Sequence, residues 1–185
     1  MKRSTSTIVF IAVWICIVFF AGAQTPIMTL NEKTITLDLW GKNSVEYLED
    51  TSQKLTLNDF LRKDTSVFFN STSKHSPDFG FTDADYWIRF RIQKQTDRPI
   101  NWVLQNDYPM VDELTVFLVN EKSGKILQKS VKDAIPSYQS NLQVHQCAIP
   151  LDIIQYEIYT VYLHLVATDA KKIHFKVSET HYFYK

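Results

Sequence analysis

The sequence predicts an all-β protein, a two-sheet antiparallel β-sandwich of jelly-roll type. Short segments rich in Val, Ile, Tyr, Phe and Trp are separated by polar residues, Pro or Gly, which is typical of all-β chains. Several segments alternate apolar and polar residues, so each has one buried and one outward face. Only 4 of the 185 residues are glycine, and long alternating strands with few glycines favour a sandwich over a small barrel.

The N-terminal part of the chain is expected to be a signal peptide covering residues 1–23. Lys2 and Arg3 precede an apolar run, and Ala21-Gly22-Ala23 supplies a small-residue cleavage site. The apolar run is too short for a spanning helix of about 20 residues, and a retained anchor is the weaker alternative. Residues 24–32 are expected to form a linker, and residues 33–185 one β-sandwich domain.

The overall charge does not point to nucleic acid as a partner. Lys and Arg number 20, Asp and Glu number 20, and no block of like charge stands out. After cleavage Cys147 is the remaining cysteine, so an internal disulfide is excluded and the apolar core must hold the fold.

The elements follow from the positions of the apolar segments and turns. A capping-type pattern at Thr56-Leu57-Asn58-Asp59 predicts one short helix near residues 57–62. Glu121-Lys122-Ser123-Gly124 predicts a hairpin loop with Gly at a permissive position. The expected strands are Thr34–Leu39, Tyr86–Gln93, Ile100–Gln105, Glu113–Val119, Lys125–Val131, Gln143–Ile149, Thr160–Ala167 and Lys172–Val177.

The segment DADYWIRFRI, residues 83–92, contains the most specific candidate site. Ile88, Phe90 and Ile92 share one strand face and are expected in the core, which leaves Trp87, Arg89 and Arg91 on the other. An aromatic ring stacks on the apolar face of a sugar, and arginines donate hydrogen bonds to hydroxyl or carboxylate groups.

Two further residues extend this surface if their strand lies beside Trp87. They are Tyr162 and His164, which oppose the apolar positions of Thr160–Ala167. The alternative is a surface without a ligand, in which a loop covers Trp87 and both arginines pair with Asp or Glu.

Other candidates are weaker. Trp102 and Tyr108 are second-tier ligand-binding residues, and core packing is at least as good an explanation for Trp102. Asp83 and Asp85 have a spacing that suits a Ca²⁺ site, although turn chemistry explains the same residues. No cofactor is expected. Enzymatic activity is not expected either, since nucleophile-elbow, zinc-protease and phosphate-loop motifs do not occur.

A set of short motifs follows in a fixed order along the chain. They are Tyr47-Leu48-Glu49-Asp50, Phe79-Gly80-Phe81, Tyr86-Trp87-Ile88-Arg89-Phe90, residues 104–109, residues 111–117, Ile135-Pro136 and residues 159–163. This order resembles the type 2 extracellular (periplasmic) domain of bacterial seven-transmembrane receptors with diverse intracellular signalling modules. The resemblance covers nearly all of the chain after the signal peptide, and the chain departs from the pattern at Lys132-Asp133 and at Tyr138-Gln139.

The resemblance implies a periplasmic or extracellular sensor domain whose jelly-roll fold is like that of carbohydrate-binding modules. It also implies a membrane transducer region C-terminal to the domain, which tethers it to the membrane in a full receptor. A carbohydrate or similar small polar ligand is the expected partner. The alternative is a structural or interaction module that binds another protein or forms a homodimer. An open groove that holds Trp87, both arginines and unsatisfied polar groups would favour the ligand. Buried Arg89 and Arg91 with internal carboxylate partners would favour the module.

Overall fold

The computed structural model describes residues 25–40, 44–62, 69–71, 78–106, 112–132, 147–166 and 174–183. Within these ranges the secondary structure is almost entirely β. The elements are β1 (Ile27–Leu30), β2 (Thr36–Asp38), β3 (Val45–Asp50), α1 (Leu57–Leu61), β4 (Asn70–Ser71), β5 (Asp85–Lys94), β6 (Trp102–Asn106), β7 (Glu113–Asn120), β8 (Ile126–Lys132), β9 (Cys147–Leu151), β10 (Ile158–Val166), β11 (Phe175–Glu179) and α2 (Thr180–Phe183).

The strands form two sheets. The larger sheet has the order β4-β3-β5-β10-β7-β8, and β1 also pairs with β5. The smaller sheet has the order β2-β11-β6-β9. Every strand pairing is antiparallel except the parallel pair β1–β5. The predicted two-sheet sandwich is therefore confirmed, and its jelly-roll subtype stays a prediction.

The core lies between the sheets and is built from the apolar face of each strand. Ile88, Phe90 and Ile92 of β5 are each 0% exposed, as the sequence predicts. Alternating residues of β7 and β10 extend the same layer, and β6 and β11 supply the facing layer. These buried residues are Leu114, Val116, Leu118, Val161, Leu163, Leu165, Trp102, Leu104, Phe175 and Val177.

The expected linker at residues 24–32 is wrong in part, because residues 27–30 form β1. Antiparallel β3 covers one edge of β5 from Asp85 to Phe90, and β1 covers the rest of that edge, from Arg91 to Lys94. Met28 and Leu30 of β1 are buried. Four residues are too few to show a clear period, and the partner strand lies more than sixty positions away, so the sequence pattern does not reveal this strand.

The predicted helix is confirmed, and its start has the expected cap. The Thr56 backbone N–H and hydroxyl both donate to Asp59 Oδ2, at 2.8 and 2.7 Å. These hydrogen bonds from Thr56 lower the pKa of Asp59. None of the helix residues is buried, so α1 lies on the surface of the sandwich.

Several expected features lie wholly or partly outside the described residues. They are the signal peptide of residues 1–23, the candidate ligand-binding residue Tyr108, the Ile135-Pro136 motif, and residues 143–146, 167 and 172–173 of the expected strands. In the part of the chain that the structure describes, the helices are too short and too polar to cross a bilayer.

Candidate functional site

The outward surface of the larger sheet brings together five of the residues selected from the sequence. We call it the aromatic–arginine face; it consists of Trp87, Arg89, Arg91, Tyr162 and His164. β10 pairs with β5 so that Tyr162 lies opposite Arg89 and His164 lies opposite Trp87. The strand that carries Tyr162 and His164 therefore lies beside the strand that carries Trp87, which is the condition for adding these two residues to the surface.

The Trp87 ring is covered by other aromatic side chains and is only 2% exposed. The His164 ring stacks on it with centroids 4.4 Å apart, and Phe60 of α1 meets it edge-on at 4.7 Å. Phe60 also stacks on Tyr162 at 5.9 Å. In this conformation neither face of the indole is open to a sugar ring.

The indole nitrogen of Trp87 has an unusual environment. Trp87 Nε1 is buried and has no hydrogen-bond acceptor within the described residues. Buried N–H donors in native proteins are almost always paired, because leaving one unpaired costs about 1–3 kcal/mol. The aromatic–arginine face therefore contains one unsatisfied donor at its centre.

Both arginines of the face pair with carboxylates of other segments. Arg89 Nε donates to Glu46 Oε2 of β3 at 2.7 Å, and its guanidinium also lies over the Phe69 ring, 4.2 Å from the centroid. Arg91 makes a two-point contact with Glu121, Nε to Oε1 at 2.7 Å and Nη2 to Oε2 at 2.8 Å. The arrangement matches the alternative in which the arginines have internal partners.

These contacts shift the acid–base properties of the face. The hydrogen bond from Arg91 holds the pKa of Glu121 below its usual value, against the effect of burial. The same contact raises the pKa of Arg91. Burial raises the pKa of Tyr162. Glu121 and Arg91 are therefore both charged at neutral pH, and the Tyr162 phenol keeps its proton.

The third polar contact of the face involves His164. Its Nε2 lies 3.1 Å from Asp85 Oδ2, and Asp85 is buried. The Asp83 carbonyl accepts a hydrogen bond from the Gln53 amide. Asp83 and Asp85 belong to no group of three or more metal-ligating side chains in the described ranges. The Ca²⁺ hypothesis gains no support from this arrangement.

The second-tier residue Trp102 lies elsewhere. It belongs to β6 of the smaller sheet, is 2% exposed, and its Nε1 donates to the Thr34 carbonyl at 3.2 Å. The structure does not bring it to the aromatic–arginine face.

Five residues that contact the face were not selected from the sequence: Glu46, Phe60, Phe69, Phe117 and Glu121. Glu46 lies directly opposite Arg89 in the β3–β5 pair, and the alternation of residues 45–50 is the only local signal for it. Phe60 and Glu121 come from a helix and a turn, whose side-chain directions depend on the tertiary structure.

Comparison with known families identifies a match that covers most of the chain. The family model described as 7TMR-DISM extracellular 2 matches residues 42–179. The matched range includes β3 to β11 and all five residues of the aromatic–arginine face. No curated protein matches the chain in sequence.

Proposed function

The chain belongs to the 7TMR-DISM extracellular 2 family, a family of extracellular sensor-type domains of seven-transmembrane receptors, and we propose that it binds a small polar ligand without catalysing a reaction. A carbohydrate is the favoured ligand class. Membership of the family implies a periplasmic or extracellular location. A membrane transducer region is the partner to which the domain would pass its signal.

The observation that carries the proposal is the unpaired Nε1 of Trp87, whose ring Phe60 contacts edge-on. A ligand hydroxyl or carboxylate oxygen at this point would accept the buried N–H and remove the cost of leaving it unpaired. No residue of α1 is itself buried, and moving Phe60 aside would expose the Trp87 and Tyr162 rings that it contacts. The Arg89 and Glu46 side chains, 29% and 19% exposed, would then border the ligand with charged groups already held in place.

Signalling would follow from differential binding. A ligand shifts a conformational equilibrium only by the difference in its affinity for the two states. A state with Phe60 displaced would bind the ligand, and the state in which Phe60 contacts Trp87 would not. Occupancy of the face by a ligand would therefore shift the equilibrium toward the displaced state.

The test compares Trp87→Phe with Trp40→Phe in a thermal-shift and calorimetric screen of neutral and acidic sugars. Trp87→Phe removes the N–H and keeps an aromatic ring. Trp40 is a matched control, because its Nε1 is also buried without a partner in the described residues. We expect a sugar whose affinity falls about tenfold in Trp87→Phe, the loss of one well-aligned hydrogen bond, and is unchanged in Trp40→Phe. Equal affinity in wild type and Trp87→Phe would contradict the site, and absence of binding to every sugar would contradict the ligand class.

A second candidate function is a protein-interaction module, and the carboxylate partners of Arg89, Arg91 and His164 favour it. A face whose charges are already paired can be covered by a protein partner or a second copy without leaving buried charges unpaired. Sedimentation of the full chain across micromolar concentrations tests the homodimer. A concentration-dependent dimer that Arg89→Glu abolishes would support it, and a monomer at all concentrations would exclude it.

A further inference from the structure

A cavity of about 350 Å³ at one end of the sandwich is lined by residues of both sheets. It lies away from the aromatic–arginine face and between the layers. The end of β5, the start of β6, the β7–β8 turn, the segment after β9 and the start of β10 surround it. Its volume falls within the range of roughly 300–1,000 Å³ that small-molecule sites occupy.

The inner part of the cavity is apolar. Trp102 and Tyr159 are each 2% exposed, and Leu127 and Leu151 lie beside them. Trp102 Nε1 donates to the Thr34 carbonyl at 3.2 Å, and the Tyr159 hydroxyl accepts from the Ile154 N–H at 3.3 Å. These two buried rings form the floor of the cavity, and the partly exposed side chains of Ile100, Leu127 and Ile153 offer the apolar contact area, which suits an aliphatic or aromatic body.

The rim of the cavity carries cationic groups. Lys94 Nζ donates to the Ile100 carbonyl at 3.0 Å and lies 5.5 Å from the centroid of the Trp102 ring. One hydrogen bond leaves further donors on this ammonium. The Lys125 ammonium has no hydrogen bond or ion pair within the described residues and also lines the cavity.

The acidic group at the rim is already neutralised. Asp152 pairs with Lys129, with Oδ2 and Nζ 2.7 Å apart. The buried amide of Asn120 is likewise occupied, because its oxygen accepts the N–H groups of Lys122 and Ser123. Among the residues that line the cavity, the charges without a carboxylate partner are therefore those of Lys94 and Lys125, and they are positive. The Glu157 carboxylate lies outside the lining and accepts from Asn120 Nδ2.

We infer that this cavity binds a small carboxylate with an apolar or aromatic body. The body would lie against Ile100, Leu127 and Ile153 above the Trp102 and Tyr159 rings, and the carboxylate would accept from the lysine ammonium groups, giving charge-assisted hydrogen bonds. The inference rests on the proposed small-molecule function and adds a second site and ligand class to it.

The cavity is also next to the point where α2 joins the smaller sheet. The Thr180 N–H and hydroxyl both donate to the Asn101 carbonyl, at 2.9 and 3.0 Å, and Asn101 lines the cavity. A bound carboxylate would thus contact the residue that holds the start of α2, and occupancy of the cavity would alter the environment of Thr180.

The experiment is an NMR titration of the ¹⁵N-labelled full chain with phenylacetate and with hexanoate, which follows the indole N–H and backbone amide signals. Parallel titrations use the neutral amides of these two acids, inorganic phosphate and a neutral sugar. We expect both carboxylates to shift the Trp102 indole and Thr180 amide signals and to leave Trp87 unchanged, with binding by the amides at least about tenfold weaker. Shifts caused by phosphate alone would overturn the inference, because they would show that the apolar body contributes nothing.

Lysine variants provide the second arm. Lys94→Met keeps the side-chain stem, and Lys125→Ala changes an exposed residue, so at least the second should fold normally. Each should weaken carboxylate binding about tenfold. Lys122→Ala is the matched control, since Lys122 lies on the same turn but does not line the cavity, and it should bind like wild type. Equal affinity in all three variants would overturn the inference.

The two proposals fail in different ways. A sugar that shifts Trp87, with carboxylates inactive at Trp102, would remove the cavity inference and keep the proposed function. Carboxylate binding at Trp102 with no ligand at Trp87 would keep the cavity and remove the aromatic–arginine face as a sensing site. Loss of both would leave the interaction module.

Discussion

Arg91 and Glu121 form a two-point ion pair across three strands of the larger sheet. Arg91 lies on β5, Glu121 follows β7, and Thr160 of β10 lies between them and donates to Glu121 Oε1 at 2.8 Å. Arg91 Nη1 also donates to the Thr25 carbonyl at 3.2 Å. The Glu121 carboxylate thus connects β5, β7 and β10. Arg91 also holds the segment before β1 through the Thr25 carbonyl.

This ion pair predicts a pH dependence of stability. The pKa of Glu121 lies below its ordinary value of 4.5 in the folded chain. The unfolded chain therefore binds the proton more readily, and the contribution of Glu121 is fully present above about pH 5.5 and is lost as pH falls through the folded pKa. We expect Glu121→Gln to lower the free energy of unfolding by about 1–2 kcal/mol at pH 7.

Urea denaturation of both chains between pH 7 and pH 2 measures this effect. The difference between wild type and Glu121→Gln should shrink as the pH falls below about 4.5, because protonated Glu121 no longer attracts Arg91. Glu32→Gln is a suitable control, because its partner Arg98 is 67% exposed and exposed pairs contribute little. Curves that stay parallel down to pH 2 would show that Glu121 does not stabilise the fold through its charge.

The neighbouring pair, Arg89 and Glu46, should show measurable coupling. The two side chains are partly buried and directly opposite each other on adjacent strands. A double-mutant cycle with Arg89→Gln and Glu46→Gln should give a coupling free energy of about 1 kcal/mol, at the upper end for ion pairs near the surface. The same cycle on Arg98 and Glu32 should give a value near zero. Equal coupling in the two cycles would mean that burial of the Arg89 pair is energetically unimportant.

Trp87 should be essential for stability whether or not it meets a ligand. Its ring is buried among Phe60, Phe117 and His164, so Trp87→Ala should destabilise the chain by about 3–5 kcal/mol. Phe81 is 82% exposed, and Phe81→Ala should change the free energy of unfolding by less than about 0.5 kcal/mol. Chemical denaturation at pH 7 measures both. A small loss for Trp87→Ala would show that the ring is less well packed than its burial indicates. Because of the expected loss, Trp87→Phe is the better substitution for binding experiments.

The strand pattern could be predicted from sequence wherever one strand shows a long alternation. β5, β7 and β10 have eight or more residues each, and their buried faces agree with the period-two prediction. β1 and β4 contain four and two residues, too few for a pattern to emerge. Their strand conformation depends on pairing with β5 and β3, which local sequence does not report.

The sequence predicts which residues form the aromatic–arginine face, but it does not predict whether their side chains are exposed to a ligand. Alternation alone puts Trp87, Arg89 and Arg91 on one face, and β5–β10 pairing adds Tyr162 and His164. Their exposure depends on Phe60, which comes from α1, outside the sheet. Trp102 shows the same limit, because alternation left open which face of its strand points inward.

The sequence by itself determined the all-β class, the core faces of the long strands and the family. The class and the core faces depend on the order of residues within each segment, and the family depends on the order of the segments. Both kinds of order are visible in the sequence without coordinates. Only the tertiary structure decided that Glu46 and Glu121 pair with the arginines, that Phe60 covers Trp87, and that a cationic cavity opens beside Trp102. The partners in these contacts lie tens of residues apart in the chain, 43 for Glu46 and Arg89. No local pattern specifies contacts over such separations, because they form only when strand pairing and sheet packing bring the segments together.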